Sequence, residues 1–202
     1  HSSIVSLKNR DSNFIINSGR YGFYRVQYDA NSLAQLELLI DEKILNHVDR
    51  WSLQNDLFSQ CVSGTKQIQE YLDFTTSYHD EDNYITLQNL AQNLYHLYKL
   101  TRKEKFSDEI RTYTAQFLGT IFDRLGWDSQ KNEKHTNALL RSFVITALGK
   151  LGDKEILSEA NKRFNKFLKN KNSLAADLQE PVFVLAAWQG DKKTYNKLLS
   201  LY

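Results

Sequence analysis

The sequence predicts a mainly α-helical chain, and three observations lead to that prediction. From residue 31 onward, apolar residues recur at spacings of three and four, as they do along the buried face of a helix. Two Gly-Asp-Lys turns, at 152–154 and 190–192, lie 38 residues apart and follow similar apolar segments. Patterns typical of β-strands are confined to residues 4–28. The expected fold is therefore an array of helical hairpins preceded by a few β-strands.

The first 30 residues are predicted to be the remnant of a small β-sandwich. Short apolar runs at 4–7 and 14–16, and alternating residues over 23–28, are typical of strands. Because so few strands would leave open sheet edges, we expect partner strands upstream. The chain contains no methionine, and residues 1–3 (His-Ser-Ser) resemble the end of an affinity tag. We therefore interpret the chain as an excised piece of a larger protein.

Residues 31–202 are predicted to be the front part of an α-helical repeat domain. Asn31 and Thr65 are candidate N-caps, and Gly64 suits the left-handed position that follows a helix. In each Gly-Asp-Lys turn, the glycine is expected to end one helix in the left-handed conformation and the aspartate to cap the next. Since such hairpins cannot bury their own apolar faces, they are expected to stack into a superhelix of the HEAT or armadillo type.

The composition excludes several classes of function. Twenty-six basic and 24 acidic residues leave a net charge of +2, which is too balanced to indicate nucleic-acid binding. No uncharged apolar run approaches the roughly 18 residues of a membrane-spanning helix, and the mean hydropathy is −0.54. The single cysteine, Cys61, is expected to be a buried thiol, and no Asn-x-Ser/Thr glycosylation sequence occurs. We therefore expect a cytoplasmic protein with no membrane segment and no nucleic-acid partner.

The sequence contains no motif of a self-contained active site. Its five histidines lack the i, i+4 spacing with which one helix face binds zinc, and no His-Glu-x-x-His is present. The nucleophile elbow, the phosphate-binding loop and the dinucleotide-binding glycine pattern are also missing. The prediction is therefore that this chain contributes no catalytic residue, no metal ligand and no cofactor-binding residue.

Four charged residues in predicted helices are interpreted as structural. Asp49, Arg50 and Asp56 lie in one helix beside Trp51, and they are expected to form buried ion pairs that fix the docking of that helix. Arg163 is expected to tether its helix to a neighbour. These residues are therefore candidates for ion pairs rather than for acid–base chemistry.

Two further arginines leave a second possibility open. Arg141 follows two leucines in a predicted helix, and Arg25 lies in the last predicted strand. Each is expected either to tether neighbouring elements or to contact a peptide, because a guanidinium that faces a groove can hold a peptide carboxylate.

An ordered series of motifs resembles the gluzincin zinc aminopeptidases. Residues 22–29 (Gly-Phe-Tyr-Arg-Val-Gln-Tyr-Asp) are similar to the family signature G-x-Y-R-V-x-Y-D. Residues 49–58 are similar to its helix D-R-x-x-L-x-x-D-x-F, and residues 81–84 to its segment E-x-x-Y. Shorter matches follow in order at 125–128, 139–141, 152–153 and 160–164. The resemblance covers about residues 14–202, and the group includes the alanyl, puromycin-sensitive, endoplasmic-reticulum and tricorn-interacting aminopeptidases.

This resemblance implies a parent enzyme that removes N-terminal amino acids from peptides. In the family, the signature closes a small β-sandwich before a helical domain, which would cover the catalytic cleft and admit peptides. The zinc ligands and the general-base glutamate belong to an upstream catalytic domain, so the resemblance transfers no catalytic residue to this chain. The expected partners are that catalytic domain and peptide substrates, and the expected cofactor of the parent is zinc.

Two alternatives remain beside this interpretation. A free-standing helical-repeat scaffold could bind a protein or peptide on its concave face, although open strands at its front would be unusual in an independent scaffold. A small enzyme with an unfamiliar site is disfavoured, because no group of titratable residues meets the geometric requirements of one.

Overall fold

Nine α-helices account for most of the residues that the computed structural model describes, which are 14–201. In chain order they are α1 (Ala30–Asp41), α2 (His47–Val62), α3 (Ile68–Thr75), α4 (Tyr84–Thr101), α5 (Ser107–Leu125), α6 (His135–Leu151), α7 (Lys154–Lys169), α8 (Ala176–Gln189) and α9 (Lys192–Leu199). The prediction of a mainly α-helical chain is confirmed.

The chain divides into two compact units, His1–Leu90 and Ala91–Tyr202. Each unit has an apolar core of its own. In the described part of the first unit, the core is formed by α1, α2, α3 and the beginning of α4 and includes Leu36, Ile40, Leu53, Leu57, Tyr71, Phe74 and Tyr78. In the second unit, it includes Ile110, Leu118, Ile121, Leu140, Val144, Ile145, Phe164, Val182 and Leu185. The sequence-predicted division at residue 30 into a sandwich remnant and a helical domain stays a prediction.

Several helices begin after polar residues whose side chains accept hydrogen bonds from the first backbone N–H groups. Asp29 caps α1 by accepting a hydrogen bond from the Ser32 amide at 2.7 Å, so the predicted cap at Asn31 is wrong by two residues. Helix α3 begins after a capping box formed by Gln67 and Glu70, and the predicted cap at Thr65 is therefore also wrong. These shifts leave the predicted helices in place, because their apolar faces, rather than the caps, decide which segments pack.

The two Gly-Asp-Lys turns differ in their glycines. Gly152 ends α6 at a φ of 96°, as predicted, and Asp153 caps α7. Asp191 caps α9, but Gly190 has a φ of −78°, so the predicted left-handed conformation is wrong there. A Cβ atom on Gly190 would lie 2.7 Å from the carbonyl oxygen of Ala186. The second turn therefore needs glycine for a close backbone approach, not for a positive φ.

The predicted strands at 14–16 and 23–28 are wrong, because none of the described residues forms a strand. Side chains of α2 replace the missing strand partners. The Val26 backbone amide donates to the Asp56 carboxylate at 3.0 Å, and the Val26 carbonyl accepts from the Gln60 side-chain amide at 2.8 Å. A segment whose residues alternate as they do in a strand can thus satisfy its backbone on a helix. The predicted strand at 4–7 lies outside the described residues.

Candidate functional site

Helix α2 presents two buried carboxylates, Asp49 and Asp56, to the segment 17–26. They are seven residues apart, which is about two helical turns, so both lie on the same helix face. The segment contains a short 3-10 helix at Ser18–Arg20, followed by bends and irregular backbone. Its conformation is therefore determined by what it contacts on α2.

Asp49 holds the beginning of this segment through neutral donors. Its carboxylate accepts from the Ser18 hydroxyl at 2.8 Å, the Gly19 amide at 2.7 Å and the Asn46 side-chain amide at 2.7 Å. Asp49 also lies in the first turn of α2, where the helix dipole favours a negative charge. These contacts stabilise its charge although no arginine or lysine pairs with it in the part of the chain that the structure describes.

Asp56 holds the end of the segment through two guanidinium groups. Arg20 donates to its carboxylate at 2.9 Å and Arg25 at 3.1 Å, and the Val26 amide binds its second oxygen. Arg20 also donates to the hydroxyl of Ser52, one turn earlier in α2. The segment from Arg20 to Val26 is therefore fixed at both ends on a single buried carboxylate.

Arg50 does not pair with its neighbour Asp49. Its guanidinium instead binds both carboxylate oxygens of Glu81, at 2.6 and 2.7 Å, and donates to the carbonyl of Leu45 at 2.6 Å. The hydrogen bond from Arg50 to the Glu81 carboxylate raises the pKa of Arg50. The same carboxylate accepts from the amides of Asp82 and Asn83 just before α4. This pair therefore joins α2 to the start of α4.

A cavity of about 490 Å³ opens beside the segment that Asp56 holds, and it is lined by Arg20, Tyr21, Gly22, Phe23, Tyr24, Arg25 and Trp51. The Arg20 guanidinium stacks over the indole of Trp51 at 5.1 Å. Tyr21 is 96% exposed and Phe23 is fully exposed. The cavity thus combines aromatic surface with two guanidinium groups, which is unusual for a surface in contact with water alone.

In the second unit, Arg141 holds the loop between α5 and α6. Its side chain is 1% exposed and donates to the carbonyls of Leu125 and Gly126, each at 3.1 Å, and to the Glu133 carboxylate. Burial raises the pKa of Glu133, but the hydrogen bond and charge of Arg141 outweigh it and lower that pKa overall. The nitrogen Nη1 of Arg141 has no hydrogen-bond partner among the described residues.

Arg163 of α7 holds the same loop from another side. Its guanidinium binds both carboxylate oxygens of Asp128, at 2.6 and 2.7 Å, and also the Glu159 carboxylate at 2.8 Å. It stacks over the indole of Trp127 at 4.9 Å, and that indole packs edge-on against Phe122. The hydrogen bonds to Asp128 raise the pKa of Arg163 and lower that of the carboxylate.

The partners of these predicted residues were not identified from the sequence. The pairing of Arg50 with Glu81 depends on a contact across 31 residues, which sequence periodicity does not indicate. Nothing in the sequence near Arg20 indicates that it shares Asp56 with Arg25. The family motif around Glu81 was the one available signal, because it placed this glutamate in the same ordered series as Arg50.

The part of the chain that the structure describes contains no group of three or more histidine, cysteine, aspartate or glutamate side chains arranged to hold a metal ion. Across those same residues, no helix is both long enough and apolar enough to cross a membrane.

The fold and these contacts define the class: a helical domain whose arginine–carboxylate pairs fix helices, a loop and the segment before α1. The chain belongs to the ERAP1-like C-terminal domain family, whose model matches residues 13–202. The family expected from the sequence motifs is thus confirmed.

The chain is similar to several aminopeptidases over nearly its whole length. It is 31% identical over 196 residues to Aminopeptidase M1 of Arabidopsis thaliana, and the match covers 93% of this chain and 22% of the relative. It is 27% identical over 209 residues to Aminopeptidase M1-A of Oryza sativa subsp. japonica, and the match covers 100% of this chain and 24% of the relative. The identity to the Puromycin-sensitive aminopeptidase of Caenorhabditis elegans is 26% over 190 residues, and the match covers 92% of this chain and 20% of the relative. The chain therefore spans about a quarter or less of the length of these relatives.

Proposed function

We propose that this chain is a non-catalytic part of a zinc-dependent aminopeptidase, in which its helices cover the active-site cleft and gate the access of peptides. One observation carries the proposal: a C-terminal domain family matches residues 13–202, and the relatives named above are aminopeptidases of which the chain spans about a quarter or less. The comparisons give no support to a free-standing scaffold.

The zinc ion of the parent would be held by the region that precedes this domain. A protein-bound zinc ion lowers the pKa of a water molecule and polarises a peptide carbonyl, which is the chemistry that hydrolysis of an N-terminal residue requires. The described residues of this chain offer no cluster suited to that ion. We therefore assign them binding, positioning and access rather than a chemical step.

The charged residues predicted from the sequence fit this role as structural groups. Arg141 is too deeply buried to reach a peptide on the surface, so we propose that it tethers the α5–α6 loop. Arg163 acts on the same loop, and the pair of Arg50 with Glu81 joins two helices. Arg25 differs, because its side chain is half exposed and lines a cavity.

Two measurements test the proposal. The reading frame upstream of this chain should encode a His-Glu-x-x-His sequence, as a zinc peptidase requires. The purified chain should not hydrolyse amino-acyl anilides with added zinc, whereas its parent should. Zinc-dependent turnover by the 202-residue chain alone would overturn the non-catalytic assignment.

We also propose that the parent is cytoplasmic, which fractionation of the source cells would check.

Gating needs a separate measurement on the parent enzyme. Peptides of increasing length and a folded protein with the same N-terminal residues should be offered as substrates. Because the helices would admit only flexible chains, peptides should be trimmed while the folded protein should remain intact until it is denatured. Equal trimming of folded and denatured protein would contradict the gating role.

A further inference from the structure

In the second unit, aromatic rings and lysines of three helices meet at the surface. Tyr95 of α4 packs edge-on against Phe143 of α6, with 6.2 Å between the ring centroids. The ammonium group of Lys99 lies 5.3 Å from the ring centroid of Tyr95. The ammonium group of Lys150 on α6 lies 5.7 Å from the ring centroid of Trp188 on α8. We call the surface formed by these residues the lysine–aromatic face (Tyr95, Lys99, Phe143, Lys150 and Trp188).

The lysine–aromatic face is open to solvent. Trp188 is 60% exposed, Lys99 is also exposed, and the other three side chains are partly exposed. Phe143 and Lys150 are seven residues apart, which is about two helical turns, so both lie on the same side of α6. One exposed ring is ordinary on a folded protein, but rings and cations that meet across three helices are typical of a binding surface.

The helices that form this face are poor in carboxylates. Neither the 18 residues of α4 nor the 17 residues of α6 include an aspartate or a glutamate. In α8, the acidic residues Asp177 and Glu180 lie near the beginning, whereas Trp188 lies near the end. By contrast, α5 contains three acidic residues and α7 contains two. The positive charge of the face is therefore not neutralised by its own helices.

The two lysines of the face keep their charge available. Each contacts an aromatic ring, and neither pairs with a carboxylate among the residues that the structure describes. A lysine above a ring can still bind an incoming anion, because its ammonium group has three donors. A carboxylate that reaches either lysine forms a charge-assisted hydrogen bond beside an apolar ring.

We propose that the lysine–aromatic face binds acidic side chains of the peptide substrate, downstream of the residue that is removed, and so makes acidic peptides a preferred substrate class of the parent aminopeptidase. The rings contact the apolar parts of the peptide, and the lysines attract its carboxylates and repel its cations. This inference rests on the proposed function and adds a rule for which peptides bind well.

The charges of the face favour an acidic peptide over other occupants. Two ammonium groups on different helices match a segment with several carboxylates better than a single terminal carboxylate. A nucleic acid would require many phosphate contacts, whereas this face offers two lysines and the chain has a net charge of only +2. A second copy that docked through the same face would bring its own lysines against these.

The test measures binding of peptides to the 202-residue chain by nuclear magnetic resonance. The chain has three tryptophans, Trp51, Trp127 and Trp188, so three indole N–H signals report on three places. A peptide of about twelve residues with alternating glutamates should shift the Trp188 signal and leave the other two in place. The same peptide with glutamine for each glutamate should bind about five- to tenfold more weakly, and this difference should vanish in about 1 M salt.

Charge-removing variants identify the lysines that bind the peptide. Lys99→Gln and Lys150→Gln should each weaken binding of the glutamate peptide about two- to fivefold and leave the glutamine peptide unaffected. The matched control is Lys169→Gln, which removes an exposed lysine of α7 and should change neither affinity. Amidation of the peptide's C-terminus should also change neither, because the proposed ligands are side chains.

The parent enzyme extends the test to catalysis. The kcat/KM of the glutamate peptide should exceed that of the glutamine peptide with the same N-terminal residues. Lys99→Gln combined with Lys150→Gln should bring the two values together, and Lys169→Gln should keep them apart.

Several results would overturn the acidic-peptide site. Equal shifts by both peptides, or a preference that persists in the double variant, would show that these lysines do not select carboxylates. Loss of binding on amidation alone would assign the face to a terminal carboxylate. A Trp188 shift that grows with protein concentration in the absence of peptide would assign it to a second copy.

These outcomes are separate from those that decide the proposed function. A parent that trims the glutamate and glutamine peptides equally well retains the proposed function and loses this site. A chain that binds the glutamate peptide selectively, from a parent without peptidase activity, gives the opposite result.

Discussion

In each of the two units, charged side chains of helices hold an irregular segment in place. The charges are negative in the first unit and positive in the second. In the first unit, the anions Asp49 and Asp56 of α2 bind the segment 17–26 through its hydroxyl, amide and guanidinium donors. In the second unit, the cations Arg141 and Arg163 bind the α5–α6 loop through its carbonyls and carboxylates. The helices thus supply carboxylates to the segment in the first unit and guanidinium groups to the loop in the second.

The difference follows from what each backbone leaves unsatisfied. A segment without a sheet partner has free amide groups, and a carboxylate is a strong acceptor for them. The end of an α-helix has free carbonyls instead, and Leu125 and Gly126 lie at the end of α5. Because Arg carries five donors in a rigid fork, one buried guanidinium can serve both carbonyls and a carboxylate. The buried carboxylates of the first unit therefore bind backbone amides, whereas Arg141 of the second unit binds backbone carbonyls.

The largest effect is expected from Arg141→Met in the second unit. The substitution leaves the Leu125 and Gly126 carbonyls and the Glu133 carboxylate without their donor in a buried site. We expect the free energy of unfolding in urea to fall by about 3 kcal/mol, near the low end for a broken buried pair, because Nη1 is already unpaired. A loss below about 1 kcal/mol would show that the loop is held mainly by other contacts.

A somewhat smaller effect is expected from Asp56→Asn in the first unit. Asparagine keeps the shape but removes the charge that Arg20 and Arg25 share, so we expect a loss of about 2 kcal/mol. Amide hydrogen exchange over 20–26 should accelerate, since these residues depend on Asp56. The matched control is Asp41→Asn, an exposed carboxylate on α1 that should change stability by less than about 0.5 kcal/mol. Equal effects of the two variants would contradict the anchoring role.

The smallest effect is expected from Arg163→Gln, which breaks the pair with Asp128. Because that carboxylate is 71% exposed, solvent screens the pair, and we expect a loss of only about 0.5–1 kcal/mol at pH 7. The pKa of Asp128 is lowered by Arg163 from its ordinary value of 3.8. The stabilisation is therefore fully present above that value and decreases as the pH falls through the lowered pKa. The stability difference between wild type and variant should shrink in the same way, and a difference that is constant to low pH would contradict this assignment.

The helices were predictable from the sequence because their signal is local and repeated. Apolar residues at spacings of three and four locate α4, and Gly152 with Asp153 marks the turn between α6 and α7. The strands were mispredicted because residues 23–28 alternate as a strand does, while the Val26 backbone is bound by Asp56 and Gln60. Alternation describes an extended backbone, and it does not identify the partner that binds it.

The candidate site was predictable in its residue types but not in its pairs. Asp49, Arg50 and Asp56 were expected to form ion pairs, yet Arg50 pairs with Glu81 and Asp56 with two arginines of the preceding segment. Each of these partners is about 30 residues away, a separation over which sequence periodicity carries no information. The exposure of Tyr21 and Phe23 was not predicted for the same reason, because exposure depends on what the rest of the fold leaves uncovered.

The helical class and the family of this chain could be established from three features of the sequence. These are the apolar periodicity, the glycine and aspartate residues at helix ends, and an ordered series of motifs. Each of these features can be recognised from the order of the amino acids, without knowledge of the contacts between distant segments. Tertiary structure alone decided which carboxylate meets which guanidinium and which aromatics remain in water. Those outcomes depend on desolvation and hydrogen bonding between distant segments, and they exist only once the helices have packed.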